Sequence, residues 1–149
     1  MLVKKADATT AKEVNGKKGD LFIFSLDRIE GIELLQTKFV VDKNFDAEDY
    51  FNDCFGIMVD GSLKTERIVL RAYGLEPYYL RDLPIHHTQK VIKKTEEYTD
   101  YELKLRPAED FIEHLLSLST RVRVLEPVWL VNEMQQRLKD ALSRYNKEK

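Results

Sequence analysis

The chain has 149 residues, 43% hydrophobic and 34% charged, with a net charge of -2. That balance excludes a disordered chain, leaves room for one ordinary domain or two small ones, and confines any basic surface to a local patch. A single cysteine excludes an internal disulfide, no apolar run approaches the roughly 20 residues that span a bilayer, and MLVKKADATT lacks a signal-peptide shape, so a cytoplasmic protein is expected.

Residues 4–20 are polar, carry glycines and lysines without a period, and read as a loop or mobile hairpin. LFIFSLDRI then reads as a strand with apolar residues on both sides, and IELLQTKFVV as a second strand after the turn residue Gly31. NFDAEDYFNDCFGI carries helix signals. Asp46 is the N-cap, Asp49 sits three residues on, Phe45 and Tyr50 form a staple, and Gly56 marks the end.

From Lys64 the pattern becomes regular. ERIVLRAY is a strand with Ile68, Leu70 and Ala72 on one face. EPYYLRDL is a short helix with Pro77 in its first turn, and KVIKKTEEY is a polar edge strand. DYELKLR alternates Tyr101, Leu103 and Leu105 with Glu102, Lys104 and Arg106. PAEDFIEHLLSLS is a helix with an apolar stripe of Phe111, Ile112, Leu115 and Leu116. RVRVLEP is a strand with Val122 and Val124 inward, and a long helix closes the chain with Leu130, Met134, Leu138, Leu142 and Tyr145 at helical spacing. The order from Glu66 to Pro127 is β-α-β-β-α-β. The expected fold class is therefore α+β: a ferredoxin-like domain plus a C-terminal helix. The expected division is residues 1–57, a β segment with a linking helix, and residues 58–149, the α+β domain.

Three stretches resemble bacterial WYL-domain transcriptional regulators. FSLDRIEGIE resembles the strand near the end of the Sm-like WYL barrel, with its aspartate-arginine-isoleucine signature, and FDAEDYFNDCFGI the helix that follows. ERIVLRAYG, LPIHHTQK, YELKLRPAEDFIEHLLSLSTRVRVLEP and the last helix resemble the C-terminal WCX extension of Bacteroides-type regulators. Residues 1–57 are then a partial barrel. The winged helix and the Trp-Tyr pair have no counterpart, so the chain reads as a fragment. The resemblance implies that operator DNA is bound only through the missing N-terminal domain, and that Arg28 faces a ligand groove.

The candidate ligand residues follow from strand phase. Arg71, Lys104, Arg106, Arg121 and Arg123 are out of phase with the inward residues and are expected on the helix-free face of the sheet, with Tyr73 placed to stack on a ring. Glu102 interrupts the patch. Clustered arginine beside an aromatic suits a nucleotide or single-stranded nucleic acid. His86 and His87 in PIHHTQK, expected on opposite sides of an extended segment, are candidates for positioning a ligand or an interface. No phosphate loop, nucleophile elbow or spaced metal-ligand pair occurs, so no enzyme, cofactor or metal site is expected. The expected function is ligand sensing in a transcriptional regulator, through arginines. The alternative is a structural dimerisation or protein-interaction module, with the last helix docking on a second copy in a homodimer.

Overall fold

The structure, a computed structural model, describes residues 2–4, 21–23, 25–33, 36, 43–44 and 46–146. The polar stretch 5–20, the staple residue Phe45 and most of the expected strand IELLQTKFVV lie outside these. The chain divides into two compact units, Met1–Asn44 and Phe45–Lys149. The second unit thus begins before residue 58 and takes in the linking helix.

In the first unit, β1 (Leu2–Lys4) pairs antiparallel with β2 (Leu21–Ile23), Leu2 opposite Ile23. The strand expected to continue through Ile29 stops at Ile23, because Leu26–Arg28 wind into a 3-10 turn. The Ser25 hydroxyl donates to the Asp27 carboxylate, and the Arg28 N–H donates to the Ser25 carbonyl at 3.3 Å. Such local bonds compete with a strand ladder. Ile32 is exposed and lies in no regular element.

The second unit is α+β, with a four-stranded antiparallel sheet and four helices. It opens with α1 (Ala47–Phe51), whose cap Asp46 accepts from the N–H groups of Glu48 at 2.7 Å and Asp49 at 3.3 Å. The helix ends at Phe51, well before Gly56. The Arg106 N–H bonds the Asp53 carbonyl at 2.6 Å and draws Cys54 into a bridge beside Arg106. Two later contacts hold the same segment. The Phe55 ring lies 5.6 Å from that of Phe111, and the Met58 N–H donates to Asp110 at 3.3 Å.

The sheet contains β3 (Glu66–Tyr73), β4 (Lys90–Lys94), β5 (Tyr98–Leu105) and β6 (Val122–Glu126), in the order β4-β5-β3-β6. α2 (Glu76–Asp82) joins β3 to β4, α3 (Glu109–Leu118) joins β5 to β6, and α4 (Val128–Asn146) follows β6. One face of the sheet carries Ile68, Leu70, Ala72, Leu103, Leu105, Val122 and Val124. These form one cluster with Leu80 of α2, Phe111, Ile112 and Leu115 of α3, and Leu130 of α4. Alternation in β3 and β5 explains the choice of face, since even positions of β3 stand opposite odd positions of β5. Phe111 is fully buried, and its burial contributes about 1.5–3 kcal/mol.

α4 uses its apolar stripe in two ways. Its first half buries Leu130 and packs Val131 and Met134 against the core. From Leu138 to Asn146 every residue is exposed, including Leu142 and Tyr145. No described helix is long and apolar enough to cross a membrane.

Candidate functional site

The second face of the sheet is charged. β3 places Arg67, Val69, Arg71 and Tyr73 there, opposite Lys104, Glu102, Asp100 and Tyr98 of β5. β6 adds Arg123 beside Arg71 and, across a register shift, Glu126 beside Val69. β4 adds Lys90 beside Glu102 and Lys93 beside Asp100. Six cations thus face three carboxylates.

Half of those cations are held by the carboxylates. Arg67 Nε lies 2.5 Å from Glu102 Oε2, and its Nη1 bonds Glu126. Lys90 Nζ lies 2.8 Å from the other Glu102 oxygen. The hydrogen bonds from Lys90 and then Arg67 hold the Glu102 carboxyl down to about 2. Arg71 grips Asp100 with two bonds of 2.7 and 3.0 Å, and its guanidinium lies 3.6 Å over the Tyr98 ring. Lys93 Nζ stands 5.3 Å from the same ring centroid. Among the described residues, the side chains of Lys93, Lys104 and Arg123 make no hydrogen bond or ion pair. The free positive charge of the face therefore sits on these three.

The structure brings Arg71, Tyr73, Lys104 and Arg123 together on this face, but not Arg106 or Arg121. Both of the latter lie just beyond a strand end, where alternation no longer sets direction. Arg106 turns to Asp53, with bonds of 2.8 and 3.1 Å. Burial works against the Asp53 charge, but the Thr65 hydrogen bond and the Arg106 charge hold its pKa below the ordinary value. Arg121 closes the 3-10 turn Ser119–Arg121 and reaches Glu76 at 3.0 Å and the Leu118 carbonyl at 3.3 Å. Both arginines tie segments of the domain together. Arg28 ends the 3-10 turn of the first unit and is exposed.

PIHHTQK is not extended, so its two histidines do not point to opposite sides. The segment folds into a turn, with the Gln89 N–H on the His86 carbonyl at 2.9 Å, and the two imidazole centroids lie 4.1 Å apart. The Thr88 hydroxyl lies 2.8 Å from His86 Nδ1 and bonds both the N–H and the carbonyl of Lys104. Gln89 Nε2 donates to the Leu80 carbonyl at 2.6 Å, while its oxygen accepts from the Ile85 N–H. The turn therefore staples the end of α2 to β5. The Thr88 N–H also lies 3.4 Å from His86 Nδ1. Among the described residues Nε2 is enclosed with no hydrogen bond of good geometry, although backbone groups of Asn52 and Cys54 act on the ring. Burial, then the neighbouring His87, pushes the His86 pKa below its ordinary value.

Sequence reasoning missed Arg67, Asp100, Lys90 and Lys93. Only the register shows that Asp100 falls opposite Arg71. It also missed a groove of about 390 Å³ between α3, β6 and α4, which Tyr73 and Arg123 border. Among the described residues no group of three or more His, Cys, Asp or Glu side chains is placed to hold a metal.

Residues 64–142 match the WCX domain, a domain found in WYL-containing regulators. No match was found among the curated proteins. The matched span covers β3 to most of α4, and so the whole charged face. It is also more than half of the sequence: the chain belongs to the WCX domain family.

Proposed function

We propose that this chain is the ligand-sensing part of a WYL-type transcriptional regulator of the Bacteroides type, with no catalytic activity. Its second unit has a ferredoxin-like arrangement and takes a nucleotide or single-stranded nucleic acid on the charged face. Its first unit is the end of an Sm-like barrel, with Arg28 at the ligand groove. Ligand binding favours one geometry of the two units and so biases a DNA-binding domain elsewhere in the regulator. The observation that carries the reading is the group of three unpaired cations, Lys93, Lys104 and Arg123, on a face that also bears Tyr73 and Tyr98. Unpaired cations beside aromatic rings suit phosphates followed by bases.

The test is a titration of labelled single-stranded DNA, RNA and cyclic nucleotides against wild type, Lys93→Ala/Lys104→Ala and Arg123→Ala. The reading expects weaker binding in each variant. Equal affinity in all three proteins would end it.

A second reading, a dimerisation module, is favoured by Leu138, Leu142 and Tyr145, which continue the apolar stripe of α4 past the half that packs on the core. Light scattering of wild type and Leu142→Glu/Tyr145→Glu tests it. A wild-type monomer at micromolar concentration would refute the homodimer.

A further inference from the structure

We propose that the groove between α3, β6 and α4 binds a small organic anion, an apolar body carrying one carboxylate. At about 390 Å³ the groove falls within the roughly 300–1,000 Å³ of small-molecule sites. Leu116, Val131, Met134 and Leu138 supply its aliphatic walls, and Tyr73 and Arg123 border it. Arg123 is the one charged residue in the lining, and its side chain makes no hydrogen bond or ion pair with any described residue.

Those two facts favour an apolar body with a single anionic head group. A guanidinium presents two parallel N–H groups to a carboxylate, a match that a neutral or cationic head group lacks. Aliphatic walls reward methylene groups and offer a sugar-phosphate little. The groove therefore adjoins the polyanion face and shares Tyr73 and Arg123 with it, while its aliphatic walls lie outside that face. Ser119, the C-cap of α3, lies in the same lining with a backbone φ of 51°.

The probes are decanoate, octanoate and decanol, each below its aggregation concentration, titrated calorimetrically into the whole chain. The proteins are wild type, Arg123→Met and Leu138→Trp, each checked for folding by circular dichroism. Wild type is expected to bind decanoate at least about tenfold more tightly than decanol, the worth of a charge-assisted hydrogen bond. Decanoate should exceed octanoate by roughly fourfold per methylene. Arg123→Met should lose the preference for decanoate while keeping the affinity for decanol. Leu138→Trp, which fills the groove, should lose both. Three results overturn the proposal: no decanoate binding at millimolar concentration, equal decanoate affinity in wild type and Arg123→Met, or a Leu138→Trp variant that breaks up a dimer and leaves decanoate binding unchanged. In the last case the groove holds a second copy of the chain.

Discussion

Removing the three unpaired cations tests the charged face quantitatively. In Lys93→Ala/Lys104→Ala/Arg123→Ala the carboxylate-bound cations Arg67, Arg71 and Lys90 remain in place. Each cation that neutralises a phosphate of a single strand contributes about 0.7 to the slope of log K against log salt. Three such cations give a slope of about -2, which is roughly a 16-fold loss of affinity between 50 and 200 mM salt. The triple variant should lose nearly all of that slope. Glu102→Gln should act in the opposite sense, because Lys90 is released from its 2.8 Å bond and becomes available to phosphate. It should steepen the slope by about 0.7 and tighten binding. The assay is fluorescence anisotropy of a labelled single-stranded oligonucleotide at four salt concentrations. A triple variant with the wild-type slope, or a Glu102→Gln variant that binds more weakly, would refute the assignment.

Three further outcomes follow from the packing and the titrating groups. Phe111→Ala empties the centre of the core and removes the partner of Phe55, so urea denaturation should show a loss of about 3–5 kcal/mol. Ser119→Gly relieves a positive φ and should stabilise by about 1 kcal/mol in the same assay. His86 and His114 both have pKa values lowered by burial from 6.5, so the unfolded chain takes up their protons first as pH falls. Their contribution is complete above pH 6.5 and is lost as pH drops through their folded values. His87 and Asp53 act on His86, and Glu76 on His114. Stability should therefore decline from pH 7.5 to 5.5, and the decline should be shallower in His86→Gln/His114→Gln; a flat wild-type profile would contradict this.

Much of the second unit was legible in the sequence because local rules govern it. Alternation in ERIVLRAY and DYELKLR picked out Ile68, Leu70, Leu103 and Leu105, and these residues are fully buried. The cap at Asp46 is made by the atoms its side chain predicts. What was not legible depends on register or on strand ends. Arg106 and Arg121 share the parity of the open face, yet neither lies inside a strand, so each follows its nearest carboxylate. Asp100 and Glu102 carry no local mark of which arginine they meet. The histidine turn misled for a related reason. Adjacent residues point apart only in an extended chain, and Thr88 and Gln89 bend this one.

The central claim is that the charged face of the WCX domain receives a phosphate-bearing single strand. Its most direct test is a heteronuclear NMR titration of the chain with a short single-stranded oligonucleotide, read residue by residue. Saturable shifts concentrated at Tyr73, Lys93, Lys104 and Arg123 are expected. Shifts confined to other surfaces, or none at all, would contradict it.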